Sequence, residues 1–536
     1  MDGNRLYIIN MKEKFMKKKI LSIALAGMMA VSLFVGCGNG QSTKESDIKS
    51  DSQANDESEG NVKKPDKIKL MVPGVVFTKE NGQDKFIERW EELTGIKLEI
   101  IQPDHDAYYD VLGQTFASGP DNWPDAVILD STHTAGYAAE GALWDMADAW
   151  EHSELKASGR INNEELIEFN YQSDGKLYNF STQRGGGCVT YIKKKWLDNC
   201  NLSVPTNYEE FINVLKAFSE GDPDGNGING DTMALSTAGF IGDEIPYVTY
   251  LPEFYQGAYP SFYQKEDGTW VDGFTEDSMK RAIERLKDAY DAGYIDKETL
   301  TNGTNDCRNK FYEDKFGVFT YWAGTWATNL KTNLEANGRD SELIAIPPIK
   351  EAGKYLERSG GGFAITAACK NPEGVYKYLL ESMLDGGDMQ TLWTYGVEGT
   401  HWSTKAETVC GNTYQEGEFH MLESMEKPGT QYTKNNIDPM LSIGDYKEED
   451  PGANQIASEA KESQQLFNSN SKLAPKFIST DEMGQYNGDL TTLKNSIVAD
   501  VITQGVSVEE GYDRFEKEGG ADWSKTIVDS LNALNK

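Results

Sequence analysis

The chain has 536 residues, 86 acidic and 52 basic side chains, a formal charge of −34 and 11% aromatic residues. At ~150 residues per domain it allows two to four domains with large apolar cores, and its aromatic content fits a globular chain rather than a disordered one. The charge excludes general nucleic-acid binding, because phosphate neutralisation needs clustered Lys and Arg.

Lys17, Lys18 and Lys19 precede an uncharged run at residues 20–35 that ends at Gly36 and Cys37. A basic start, a short apolar run and small residues at its end read as an export signal. The run is shorter than the ~20 residues a membrane span needs. The tetrad Phe34-Val35-Gly36-Cys37 resembles a bacterial lipobox, with Phe34 where leucine is usual. That resemblance implies that Cys37 is diacylglycerated, becomes the first residue and holds the protein at the extracellular face of the membrane, since two acyl chains anchor where one does so only marginally. Residues 1–36 carry six basic and two acidic side chains, so their removal takes the charge from −34 to −38. Residues 37–66 contain hardly any apolar side chains, cannot offset their ordering entropy by burial, and read as a disordered tether.

From residue 67 strands and helices alternate. Residues 68–72, 97–101 and 125–129 are short apolar runs expected to be strands. Residues 84–94 put Phe86, Trp90 and Leu93 at helical spacing and stop at Gly95. Such alternation predicts mostly parallel sheets with helices on both faces, an α/β fold. A second set begins with a strand near residue 188, then a helix whose Thr206 and Glu209 have capping-box spacing. Residues 275–296 predict an amphipathic helix with Met279, Ile283, Leu286 and Tyr290 on one stripe. Residues 317–320, 343–346 and 363–366 read as strands, and the C-terminal third as helical and acidic.

The ordered set Ala117-Ser118-Gly119-Pro120, residues 124–130 (PDAVILD), residues 137–143 (YAAEGAL), Trp196-Leu197, Val204-Pro205-Thr206, residues 222–227 (DPDGNG), residues 393–399 (WTYGVEG) and residues 507–510 (SVEE) resembles bacterial extracellular solute-binding proteins of the maltose-binding-like group. These are substrate receptors of carbohydrate ABC importers. The resemblance implies a two-lobed α/β fold of the type II periplasmic-binding-protein kind, with the ligand in a cleft that closes about a hinge. It implies an N-terminal lobe of residues 67–185 plus 340–385 and a C-terminal lobe of residues 186–339 plus 386–536. The function it implies is a monomeric, lipid-anchored receptor that captures a sugar or oligosaccharide and delivers it to an ABC permease.

A sugar presents hydroxyls at its rim and C–H faces above and below, so its site needs aromatic plates with carboxylate, amide and Arg partners. Tyr255, Trp322, Trp326 and Trp402 stand at loop-like positions, whereas Trp393 and Tyr395 are assigned to packing. Trp326, in the segment YWAGTW, resembles the family loop that supplies a stacking tryptophan; the alternative is a core ring under a loop. The polar candidates are Asp130 just beyond a strand, Arg184 in QRGGG, Arg358 in ERSGGG and Glu398 in GVEG. Glycines beside a polar residue let backbone approach a ligand closely. Surface solvation or ion pairing between lobes is the alternative for each.

Asp222, Asp224 and Asn226 alternate before Gly227, the opening of an EF-hand-like calcium loop, with the Ile228 carbonyl next in line. Gly230 and Met233 stand where later ligands belong, leaving Asp231 as the closing carboxylate; a plain Asp/Gly turn is the alternative. The GxGxxG at residues 225–230 follows a helix and lies among acids, so it is no dinucleotide site, and no organic cofactor is expected. The rival functions are a secreted glycan hydrolase using paired carboxylates and a receptor for peptides or other solutes. The sequence contains no GxSxG, HExxH or P-loop, and the chain is not expected to be an enzyme. Beyond Cys37, five cysteines leave at least one thiol unpaired and room for one disulfide.

Overall fold

Apolar runs too short to bury themselves as single strands assemble into two four-stranded sheets in the computed structural model. It describes residues 62–534 apart from 75–76, 105–106, 162–166, 168–169, 173–174, 182–184, 242–246, 359, 426–427, 433–456, 477 and 479. The export signal, Cys37 and most of the tether therefore lie outside the described residues. The strands that position the site are β1 (Lys67–Met71), β2 (Lys97–Ile101), β3 (Ala126–Leu129), β4 (Cys188–Lys193), β5 (Met233–Leu235), β6 (Phe316–Trp322), β7 (Leu343–Ala345), β8 (Tyr355–Glu357), β9 (Gly362–Ile365) and β10 (Ser471–Leu473).

The first sheet has the order β9–β3–β1–β2, with β1 parallel to β2 and β3, and β9 antiparallel to β3. The second has the order β5–β6–β4–β7 and is mixed rather than mostly parallel: β4 runs antiparallel to β6 and β7, and only β5 and β6 are parallel. All of β4 is buried, as expected of a central strand covered on both faces.

Each sheet has its own core. Ile68, Leu70, Phe86, Trp90, Trp150 and Phe363 pack on the first. Ile192, Phe211, Leu235, Phe254, Ile283 and Val318 pack on the second, joined by Leu490, Ile497, Phe515 and Ile527 from the C-terminal helices Asp481–Thr503, Val508–Lys517 and Gly520–Ala533. Helix Gln83–Thr94 ends as its sequence predicts, on Gly95 with φ 67° and an N–H bonded to Glu91 O. Helix Tyr208–Glu220 is capped one residue later than expected: Asn207 accepts from the Glu210 N–H, and Thr206 instead donates to the Glu210 carboxylate at 2.7 Å. The amphipathic helix spans Asp277–Asp291, and Tyr290 only packs against the core from outside. Residues 402–421 form short hairpins where helix was expected.

Two segments depart from the expected division of the chain. Leu343–Ala345 pairs with β4 in the second sheet. Helix Asp388–Tyr395 puts Met389, Leu392 and Trp393 into the first core, where the Trp393 ring meets Phe86 at 4.8 Å and Trp90 at 5.8 Å. The following residues fasten to the same side, with His401 Nε2 2.6 Å from Asn81 O and Tyr432 OH 3.3 Å from Asn81 Oδ1. Beside the first sheet Phe180 and Phe363 exchange N–H···O bonds of 2.8 and 3.1 Å, and in the backbone between the two sheets the Arg358 N–H reaches Gly186 O at 3.1 Å. At Gly362 a Cβ would stand 2.0 Å from Asn179 Oδ1 and 2.6 Å from Phe180 O, so only glycine fits at this start of β9. Cys188, Cys200, Cys307, Cys369 and Cys410 are all free thiols, so none of them forms the disulfide the count left room for.

Candidate functional site

Buried residues of β6 carry the chain to Trp322 at the strand's half-exposed end. The Arg358 guanidinium lies 4.5 Å from the centre of the Trp322 ring, and the Tyr247 ring is 5.9 Å away. Gly324 then turns with φ 74° into helix Thr325–Ala336, which places Trp326 in its first turn. The Trp326 ring meets Tyr321 edge-on at 4.9 Å, and the Arg308 guanidinium lies 4.9 Å from it. Tyr247 OH and Thr304 Oγ1, 2.7 Å apart, join the patch.

Asp130 stands at the end of β3 in the other sheet. Its carboxylate caps helix Ser131–Ala139 by accepting the His133 N–H at 2.8 Å, and His133 Nδ1 is 2.9 Å from both carboxylate oxygens. Tyr109 stacks on the His133 ring at 3.6 Å, and its hydroxyl accepts the Asp130 N–H at 3.0 Å. Burial pushes the Asp130 carboxyl up, but the hydrogen bond and charge of His133 outweigh it and leave the group below its ordinary value. Burial raises the Tyr109 hydroxyl, which stays protonated. It also lowers the Arg358 guanidinium somewhat, against the opposing pull of Cys188, Asp130 and Tyr109. Arg358 is tied to the crossing strand by its Nε, which donates to Gly185 O at 3.0 Å.

Of the residues singled out in the sequence, Trp322, Trp326 and Arg358 lie in this aromatic patch, and Asp130 stands at the end of β3 with His133 and Tyr109. Tyr255 joins neither: it is 1% exposed, packs on Tyr250 and donates its hydroxyl to Phe240 O at 2.6 Å, so no face remains for a ligand. Trp402 stacks on Phe419 and donates to Gly396 O within the hairpins beside Asn81. Glu398 is exposed in the turn that bridges to Trp402. Arg184 and Cys37 lie outside the described residues. Sequence reasoning missed Tyr109, His133, Tyr247 and Arg308. The i,i+3 pair Asp130/His133 at a helix start was a legible signal; Arg308 had none.

In the acidic loop, Asp222 accepts the N–H groups of Asn226 and Gly227, each at 2.9 Å, and Asn226 Oδ1 accepts the Ile228 N–H at 2.8 Å. Asn226 Nδ2 donates to Asp224 at 3.0 Å and to Asp231 at 2.8 Å. Burial raises the Asp224 carboxyl, and the nearby Asp222 and Asp231 add to it. Among the described residues no three His, Cys, Asp or Glu side chains converge as metal ligands; the carboxylates gather round the Asn226 amide instead. The donor set is nevertheless all oxygen once that amide turns, the chemistry calcium takes.

The model for the family described as bacterial extracellular solute-binding protein matches residues 79–379. The chain belongs to that family. Among curated relatives of this solute-binding protein, the polygalacturonan/rhamnogalacturonan-binding protein YtcQ of Bacillus subtilis is 25% identical over 453 residues, 80% of this chain and 83% of that one. An HMO binding, ABC-transporter-associated solute-binding protein of Bifidobacterium longum infantis superposes with a TM-score of 0.64 at 18% identity, over 88% of this chain and 99% of that one. An EF-hand mutant of the substrate-binding protein FusA of S. pneumoniae, in complex with fructo-nystose, gives 0.59 at 17% identity over 88% and 99%. The solute-binding protein thus has the two-lobed α/β fold of these receptors, and the relatives are named for binding rather than catalysis.

Proposed function

We propose that the protein is a lipid-anchored receptor that captures a sugar or oligosaccharide outside the cell and hands it to an ABC permease. The observation that carries this reading is the patch of Trp322, Trp326 and Arg358 at the end of β6, beside the segment where chain crosses between the sheets. Aromatic faces take a sugar's C–H surface, and the flanking charged and hydroxyl groups pair its rim. A ligand touching groups on both lobes favours closure only by its higher affinity for the closed state. The names of YtcQ and FusA, which bind polygalacturonan and fructo-nystose, support a carbohydrate over a peptide. We place the lobes about the glycine-bearing segments at residues 185–187 and 360–361, with Cys37 as the lipid attachment. In the same reading Asp222, Asp224, Asn226, the Ile228 carbonyl and Asp231 would hold a structural calcium ion, supported by the oxygen donor set and by the EF-hand named for FusA.

The test is a titration of the full chain in detergent micelles against a panel of neutral and acidic oligosaccharides. Saturable binding without product release is expected. Release of cleaved sugar would establish the hydrolase, and binding of peptides alone would remove the carbohydrate reading.

A further inference from the structure

We infer that helix Ser458–Asn470 is part of the sugar site: Ser463 fixes the turn that carries the two tryptophans, and the Gln464 amide reads a sugar hydroxyl beside them. This deepens the sugar-receptor reading above and rests on it. The helix lies beyond residues 79–379, the span that matches the family model, so it is a part of the chain that the family likeness does not describe. Its position is fixed along its length. Near its start Glu459 meets Lys331 of helix Thr325–Ala336 at 3.5 Å. Past its end β10 runs parallel to β8, where the Ser471 hydroxyl donates to the Glu357 carboxylate at 3.1 Å and the Ala474 N–H to Glu357 O at 2.6 Å. Between these ties the Phe467 ring closes on Gly187, 2.6 Å from where a Cβ would stand.

Trp322 and Trp326 are joined through Gly324, and buried groups from two other elements hold that turn. Ser463 Oγ accepts the Gly324 N–H at 3.3 Å and lies 2.7 Å from Tyr191 OH on β4, while Tyr191 OH donates to Trp322 O at 2.9 Å. Tyr191 and Ser463 are both buried, where breaking such bonds is costly, so they fix the backbone from which both rings project. Ser463 is therefore a positioning residue. Gln464, the next residue, is half-buried, and its Oε1 lies 2.7 Å from the place over Gly324 where a Cβ would stand. Gly324 has φ 74°, a conformation that favours glycine, and its bare α-carbon lets the amide sit directly on the turn. Consecutive α-carbons are about 3.8 Å apart, which puts Gly324 within about 7.6 Å of the α-carbons of both tryptophans, a reach comparable to one sugar ring with its hydroxyls. Gln464 Nε2 donates to Asn468 Oδ1 at 2.8 Å, one turn along the helix. That bond sets the plane of the amide and uses one of the four hydrogen bonds an amide can make. A sugar lying on either tryptophan presents its hydroxyls at the ring edge, and a preset amide meets a hydroxyl at one distance and angle only. It thereby separates sugars that differ in the direction of a single hydroxyl.

The experiment is calorimetry on the full chain in detergent with an oligosaccharide panel that includes maltotetraose, nystose and tetragalacturonate. It compares the unmodified protein with Gln464→Ala and with Gln464→Met, which keeps the length of the side chain without its amide. At least one probe is expected to bind the unmodified protein, and both variants to bind it about five- to tenfold more weakly at an unchanged melting temperature. Ser463→Ala should weaken the same probe and shift the near-ultraviolet circular dichroism of the tryptophans before ligand is added, a signature that lower stability alone does not give in a folded sample. In a crystal of the unmodified protein with that probe, the Gln464 amide should lie within about 3.2 Å of a sugar hydroxyl, which decides the matter even if every variant fails to fold. Equal affinity in the folded Gln464 variants, or an amide turned away from the sugar, overturns the inference and leaves the sugar receptor standing; no binding of any saccharide overturns both. An unchanged tryptophan spectrum and affinity in Ser463→Ala overturns the positioning role.

Discussion

Glu253, in the short helix Pro252–Tyr255, is fully buried against β4. One carboxylate oxygen accepts from Thr190 Oγ1 at 2.6 Å, and the other meets no hydrogen-bond donor among the described residues. Burial pushes this carboxyl up from 4.5 to about 7, and the Thr190 bond recovers only part of the cost. The folded chain thus holds a proton that the unfolded chain releases above pH 4.5. Stability from this group is complete below that pH, declines as pH rises through 7, and ends lower by on the order of 3 kcal/mol. Glu253→Gln keeps the acceptor for Thr190 without the charge. Its urea midpoint is expected to match the unmodified protein near pH 4.5 and exceed it at pH 8; parallel pH profiles for the two proteins would refute the account. The same segment shows what sequence hides at this scale. Tyr255 and Trp322 both read as aromatics near loops, yet one is sealed beside Tyr250 and the other stands at a strand end. The difference lies in neighbours that the sequence does not name.

Among the elements, β9 and the acidic loop make the clearest predictions. Gly362→Ala would drive a methyl group into Asn179 Oδ1 and the Phe180 carbonyl, at 2.0 and 2.6 Å. Backbone cannot yield as a flexible side chain does, so a loss of at least about 1–3 kcal/mol is expected in chemical denaturation. A neutral outcome would mean that the strands separate freely. For the loop, calcium at 100 times its dissociation constant would stabilise the fold by about 2.7 kcal/mol. Calcium should therefore raise the melting temperature, chelator should reverse the rise, and Asp222→Ala should abolish it; a melting point indifferent to both would leave a plain turn. The loop was legible because its signal is local: Asp222, Asp224 and Asn226 at alternate positions suffice to build the turns seen at Asn226, Gly227 and Ile228. The cap falls at Asn207, one residue past the expected Thr206, because Thr206, Asn207 and Glu210 offer overlapping partners and backbone geometry chooses between them.

At the scale of the whole molecule, two sheets with separate cores joined by paired strands make relative motion the natural response to a ligand that contacts both. Saturating oligosaccharide is expected to lower the radius of gyration measured by X-ray scattering. Arg358→Ala should weaken both binding and compaction, because that side chain joins the crossing strand to Trp322. Binding with an unchanged radius would show a site that works without closure.

The alternation of strands and helices, the amphipathic helices of the second core, the acidic loop and the family are all legible in the order of residues. These depend on spacings of two to four residues or on the order of motifs along the chain, both of which survive in one dimension. Folding in three dimensions is what puts Leu343–Ala345 in the second sheet, Asp388–Tyr395 in the first core with His401 fastened to Asn81, and arginines over the two tryptophans. Those outcomes turn on pairs such as His401 with Asn81, 320 residues apart, and Arg358 with Gly185, 173 apart. Such partners are selected by packing and hydrogen-bond satisfaction after the chain has folded back on itself, and no local pattern encodes them.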